Sequence, residues 1–164
     1  MDNTAVCEAI TEQRVHELLL RYIKALDNQD MKGWLACFSQ SGSYICTTRE
    51  NVEQGLPVAT MMDDTRARLE DRVKTIEEVW AGTYEDYQTR HFIQSLQCGP
   101  RADGSWQVES NFVVTYTTAN GNMSVLAAGV YYDEVVLEDD EVKLASRRAV
   151  LDSVLTPRYL VYPI

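Results

Sequence analysis

The sequence predicts an α+β fold, in which helices from the first half cover one face of a curved, mainly antiparallel sheet built by the second half. Three observations carry this. Gln88 to Asp152 reads as four consecutive strands separated by Ala102-Asp103-Gly104, Asn120-Gly121 and Asp139-Asp140. Between Thr11 and Leu26, Val15, Leu18, Leu19, Tyr22, Ile23 and Leu26 recur at three- and four-residue spacing and form one apolar stripe. The order is helices, a short strand, a helix, then a run of strands, which is the α+β pattern.

The elements follow in order. The first helix spans Thr11 to Leu26; residues 4–10 either extend it backwards or fray, and Asp27-Asn28-Gln29-Asp30 breaks it. Asp30 suits the N-cap of a short second helix carrying Trp34, Leu35 and Phe38, because its carboxylate can accept from an orphan helical N–H. Ser39 to Gly42 is then read as a turn into a short strand, Ser43–Thr47. Arg49 to Pro57 reads as a loop and Val58–Met62 as another short strand. Asp63 or Asp64 is expected to cap a third helix, Thr65–Trp80, with Leu69, Val73, Ile76 and Trp80 buried. Its polar residues, with Glu70 four before Lys74, fit a solvated, ion-paired face or a polar subunit contact equally well.

In the meander, Trp106, Val108, Phe112, Val114 and Tyr116 share one face, and Gln107, Glu109, Asn111, Thr115 and Thr117 the other. Met123 to Tyr132 is apolar on both faces, which predicts a central strand covered on both sides. Asn-Gly is a hairpin signal, since a type I′ turn needs positive φ at both central residues. The closing stretch Ser153–Ile164 is apolar and proline-punctuated, so it is expected to dock rather than wave in solvent.

The 164 residues suit one domain, 1–164, with 1–13 as a frayed extension and 153–164 as a docked closing segment. Fifteen Lys and Arg against 25 Asp and Glu leave a net charge of −10, which disfavours nucleic acid and anionic membranes as partners. Cys7, Cys37, Cys46 and Cys98 are isolated, with no CxxC pair. Without a signal-peptide pattern or a long apolar run, this predicts reduced thiols and a cytoplasmic protein.

No strong metal pattern is present. A Rieske cluster needs two Cys and two His, and a mononuclear iron site two His and a carboxylate. His16 and His91 are the only histidines, and no Cys-x-His pair exists. No Gly-x-Ser-x-Gly elbow or phosphate-cradling glycine loop occurs either. General acid–base chemistry leaves Tyr22, Asp27, His91, Asp133 and Asp152 as candidates, with His91 and an Asp as a proton-shuttling pair. The alternative is structural: carboxylates at helix and strand ends paired with Arg90, Arg147 or Arg148.

Several stretches taken together resemble one family. They are Arg49-Glu50-Asn51-x-x-x-Gly55-Leu56-Pro57, Asp64-x-Arg66-x-x-Leu69-x-Asp71-Arg72-Val73, Thr89-Arg90-His91, Ala128-Gly129-x-Tyr131-x-Asp133 and the closing Tyr162-Pro163-Ile164. In this order they resemble the small (β) subunit of Rieske-type aromatic-ring-hydroxylating oxygenases. The first and last are most similar to the salicylate 5-hydroxylase branch, with terephthalate and anthranilate dioxygenase small subunits close by.

The resemblance implies a cone-shaped fold of the nuclear-transport-factor-2/ketosteroid-isomerase type. It implies a non-catalytic, cofactor-free structural subunit acting with a large (α) subunit in an α3β3 heterohexamer, with the small subunits forming a β3 trimer. The Rieske [2Fe-2S] cluster and the mononuclear Fe(II) would lie in the large subunit. NADH would supply electrons through a reductase, often with a ferredoxin, for hydroxylation of an aromatic carboxylate such as salicylate. Carried onto this chain, Arg49, Glu50, Asn51, Arg66, Asp71, Arg72, Arg90 and Arg147 are expected at subunit contacts, with Arg66, Asp71 and Arg72 alternatively in internal ion pairs. The sheet face bearing Glu109, Asn111, Thr115, Thr117, Lys143 and Arg147 is the expected contact surface. The alternatives are a self-sufficient isomerase or dehydratase of the same fold, using an Asp/His91 pair, and a protein-binding transport module of that fold.

Overall fold

The computed structural model describes residues 9–164. The expectations for residues 1–8, including Cys7 and most of the frayed extension, lie outside the described residues. Helix α1, Glu12–Asp27, opens on Thr11, whose hydroxyl accepts from Arg14 N–H; it buries Val15, Leu18, Leu19, Tyr22, Ala25 and Leu26. Helix α2, Met31–Ala36, is capped by Asp30 as expected, with the carboxylate accepting from Gly33 N–H. Strand β1 runs Phe38–Thr48, helix α3 Arg49–Glu53 and strand β2 Met61–Asp63. Helix α4, Arg66–Lys74, runs into a π-helical turn, Thr75–Val79. Strands β3 (Tyr87–Pro100), β4 (Trp106–Thr118), β5 (Met123–Glu138) and β6 (Glu141–Leu151) form the predicted meander.

One sheet holds all six strands in the order β2-β1-β6-β5-β4-β3. Every pairing is antiparallel except β1 with β6, which is parallel. The core lies between the sheet's inner face and α1, α2 and α4. Rows of inward positions cross the strands: Phe112, Gly129 and Leu151 form one row, with Gly129 opposite both others, and Ser110, Tyr131 and Ala149 form another, with Tyr131 in the middle. The predicted alternation of β4 holds, with Val108, Phe112 and Val114 buried.

Five expectations change. Ser39–Gly42 belongs to β1 rather than to a turn, because the chain runs on alongside β6 through a register shift between Phe38 and Ser43. Arg49–Glu53 is helical rather than loop, started by Thr48 accepting from Asn51 N–H. The cap of α4 is Thr65, which accepts from Arg68 N–H. Asp63 lies in β2 instead, buried and gripped by Arg72 at 2.9 and 3.1 Å. Asp139 and Asp140, at φ 51° and 60°, make the turn with two left-handed residues, whereas at Asn120-Gly121 only Gly121 (φ 81°) does. Finally, β5 is interior to the sheet but covered on one side only: Met123 and Val125, on the outer face, are 71% and 51% exposed.

The close approach of β5 and β6 depends on Gly129. A Cβ there would lie 2.0 Å from the Val150 carbonyl oxygen, an atom fixed in the ladder. Gly129→Ala is therefore expected to destabilise the chain by on the order of 3 kcal/mol, as overpacking against rigid backbone does; the midpoint of urea denaturation measures it.

Candidate functional site

Two polar assemblies sit within the apolar core. The first is the ion pair of Arg147 on β6 with Asp133 on β5, residues directly opposite each other in the ladder. Arg147 Nε donates to Asp133 Oδ1 at 2.8 Å and Nη2 to Oδ2 at 2.6 Å, and both side chains are fully buried. The guanidinium is stacked between two rings, with its carbon 3.9 Å from the Tyr22 centroid and 4.1 Å from that of Tyr131. Burial alone would lower the Arg147 pKa, but Asp133 outweighs it and the net shift is upward, so the guanidinium stays charged. Burial pushes the Tyr22 phenol up to about 12 against the opposing pull of Arg147, so it stays a neutral donor.

The second assembly joins the last residue of α1 to β3. His91 Nδ1 lies 2.6 Å from Asp27 Oδ1, His91 N–H donates to Oδ2 at 3.1 Å, and Thr89 Oγ1 donates to Oδ1 at 3.1 Å. A carboxylate only accepts, so Nδ1 carries the proton. His91 Nε2 is buried and has no partner. Burial would raise the Asp27 carboxyl, but the bonds from His91 and Thr89 prevail and hold it below its ordinary value of 3.8. The structure thus brings together the Asp and His that the sequence singled out. Sequence spacing could not name Asp27 as the partner over the other carboxylates, since 64 residues separate it from His91.

The other candidates separate. Asp133 is taken up by Arg147, and Asp152 pairs at the surface with Arg49 of α3. Tyr22 anchors the closing segment, donating to Ile164 O at 2.9 Å. Of the expected contact residues, Arg147 is corrected outright: it points to the inner face and is enclosed, so no partner can reach it. Arg66 spans the carbonyls of Leu35, Phe38 and Ser39, tying α4 to α2 and β1, and Arg72 holds Asp63. Both are the internal ties that the sequence left as one option. Asn51 donates to Thr47 Oγ1 and Val58 O, shaping the loop over β1. Arg49, Glu50, Asp71 and Arg90 are exposed. Lys143 reaches round to Ala36 O and Glu141 rather than lying on the open sheet face.

That open face carries what polarity patterning missed. Phe92 (62% exposed) lies opposite Val113 (39%); the next rows hold Arg90, Thr115 and Val125 and then Thr117 and Met123, with Asn111 in the row on the other side, opposite Gln94. Only the strand register reveals that these apolar residues are neighbours. Among the described residues, no group of three or more His, Cys, Asp or Glu is placed to hold a metal ion, and no helix is long and apolar enough to cross a membrane.

Breaking the core ion pair from one side should cost about 3–5 kcal/mol, because the remaining charge is buried without a counter-ion. Asp133→Asn is therefore expected to lower the denaturation midpoint sharply, and Asp133→Leu with Arg147→Met to recover most of the loss. For Asp27 the folded pKa is depressed, so its stabilising contribution is present above pH 3.8 and lost as pH falls through the lowered folded value. The urea midpoint of the unmodified chain should accordingly decline in that acid range. Asp27→Asn should start lower at neutral pH and decline less.

Comparison with known proteins supplies the family. The model for the ring hydroxylating beta subunit matches residues 21–157. The anthranilate 1,2-dioxygenase small subunit of Burkholderia cepacia is 33% identical over 150 residues, covering 92% of each chain. A terephthalate 1,2-dioxygenase oxygenase-component β subunit of Comamonas sp is 28% identical, over 94% of this chain and 99% of its own. The solved β subunit of a proposed aromatic-ring-hydroxylating dioxygenase from Novosphingobium aromaticivorans superimposes with a TM-score of 0.77 at 28% identity, over 88% of this chain and 90% of that one. The helix-covered, curved six-stranded sheet is thus the nuclear-transport-factor-2-like fold of these subunits, and the chain belongs to the ring-hydroxylating dioxygenase β-subunit family.

Proposed function

We propose that this chain is the structural small subunit of an oxygenase acting on an aromatic carboxylate, and that its open sheet face is where it meets other subunits. The observation that carries the reading is the family match across residues 21–157, joined to an exposed apolar patch on the sheet. Anthranilate and terephthalate, in the relatives' names, are both aromatic carboxylates. The narrower expectation of salicylate finds no support in those names and gives way to that class.

In this reading the large subunit holds the Rieske cluster and the iron, and electrons arrive from NADH through a reductase in the cytoplasm. Three copies of each subunit assemble as α3β3, with the small subunits also touching one another. Phe92, Val113 and Val125 supply apolar contact area, while Arg90, Arg49, Glu50 and Asp71 are the expected contact residues left at the surface. Aromatic and arginine anchors of this type dominate contact energies.

One observation favours the second reading, an isomerase or dehydratase. The 2.6 Å contact of His91 with Asp27 is the geometry that a proton-shuttling pair needs. Against it, the cleft beside the pair is lined by Asp27, Tyr87, Gln88 and Thr117 and not by His91, so substrate has no visible approach to Nε2.

Co-production with a Rieske-type large subunit should give one coloured complex, while the isolated chain is colourless and turns over no aromatic carboxylate. Phe92→Asp should weaken the assembly roughly thirtyfold, the loss expected for one aromatic anchor, and leave the circular dichroism of the chain unchanged. An unchanged complex mass at low micromolar protein would remove the sheet face from the interface. Turnover by the pure chain, abolished by His91→Ala, would favour the second reading.

A further inference from the structure

The outer sheet face carries a groove beside its apolar patch, toward β6 and β1. Strand register sets the floor of this groove. In one row Gln107, Glu134, Ser146 and Ser43 lie side by side on β4, β5, β6 and β1; in the next lie Glu109, Tyr132, Arg148 and Ile45. Asp133 and Arg147 alternate with these positions, and their side chains are enclosed on the inner face. Arg101, just past the end of β3, also lines the groove. Its volume is about 290 Å³, at the floor of the range for pockets that enclose a small molecule, roughly 300 Å³ upward. A single side chain suits it better than a free ligand.

Arg148 is exposed on β6, an interior strand, and its guanidinium carbon lies 5.2 Å from the Tyr132 ring centroid. A guanidinium resting on an aromatic face keeps its planar fork ordered, ready to take a carboxylate through two parallel hydrogen bonds. Among the described residues, Arg148 makes no ion pair and no side-chain hydrogen bond. The carboxylate in the groove, Glu134, is drawn to Arg101 at 3.8 Å instead. Ser43, Ser146 and Gln107 add neutral donors. With Asp133 and Arg147 neutralising each other on the inner face, Arg101 and Arg148 against Glu134 leave the groove net positive. The chain as a whole carries −10, so the groove inverts the prevailing sign and favours an anionic group.

We propose, resting on the reading that the outer face meets other subunits, that this groove receives an Asp or Glu side chain of an adjoining subunit. Arg148 is its bidentate partner, and Tyr132 holds the guanidinium in place. Arg148 lies two rows and three strands from Phe92, roughly 20 Å along the sheet. A standard interface covers about 800 Å² on each partner, so one patch takes in both residues. The apolar side supplies contact area. The arginine supplies specificity, because a partner without a carboxylate at this point would enclose the cation with no counter-charge.

The test uses the complex co-produced with a Rieske-type large subunit. Arg148→Gln should weaken assembly about thirtyfold, as losing one partner of an enclosed charge pair does. The circular dichroism of the isolated chain should stay unchanged, since Arg148 ties no element to another. Arg148→Lys keeps the charge and supplies an amine. A water-soluble carbodiimide, which joins amines to carboxylates in contact, should then link position 148 to an Asp or Glu of another subunit, located by peptide mass mapping. Phe92→Asp tells a failure of the groove from a failure of the face. If Phe92→Asp weakens assembly and Arg148→Gln does not, the groove is overturned and the contact face stands. If neither weakens it, both fall. A link only to Glu134 of the same chain would overturn the assigned partner. Binding of free benzoate to the isolated chain, abolished by Arg148→Gln, would overturn it in favour of a small ligand.

Discussion

The Asp133–Arg147 pair constrains the rest of this molecule. It joins two neighbouring strands across the middle of the sheet's inner face, and its guanidinium lies between Tyr22 of α1 and Tyr131 of β5. A buried charge pair repays its desolvation only through close, well-directed hydrogen bonds, which Arg147 Nε and Nη2 make here while Nη1 is buried without a partner. Here Asp133 supplies the counter-charge and the two rings supply a favourable face for the cation. The helix must therefore cross the sheet at the one place where Tyr22 covers Arg147. Sheet register and helix position thus depend on the same residue.

Tyr22 also carries this constraint outward. Its ring covers Arg147 while its hydroxyl holds Ile164, so the closing segment is positioned by the same helix that covers the pair. The far end of α1 is held separately, by Asp27 on His91 and Thr89 of β3. Helix α1 is in this way fixed to β5 and β6 at one turn and to β3 at its end. The concave side becomes a closed core with polar fasteners, and this suits a subunit that contributes shape.

The convex side is built differently. There the apolar side chains of β3, β4 and β5 are left open, with Arg90 among them. A chain with a net charge of −10 resists nonspecific self-association. An apolar patch that persists on such a surface is best accounted for by a specific partner. The inner face accounts for the stability of the chain, and the outer face is the surface proposed for contact with other subunits.

Local chemistry made much of this legible from sequence. The stripe of α1, the Asp30 cap and the four-strand meander all follow from periodicity and from residues whose conformational preferences act within a few positions. The ordered motifs also pointed to the family. What failed locally failed for the same reason: whether Ser39–Gly42 turns or extends, and whether Thr65 or Asp63 caps α4, was decided by pairing with β6 and by Arg72. The sites were less legible still. Arg147 reads as a surface charge on a strand, and only packing shows it enclosed with Asp133. Asp27 and His91 were separate candidates until the fold placed the end of α1 against β3. Phe92 and Val125 became neighbours only through strand register. Sequence by itself determined the elements and the family, because these rest on short-range pattern. Tertiary structure alone decided which charges are core, which hydroxyls hold Ile164 and which apolar residues form a surface, because those depend on contacts between residues far apart in the chain.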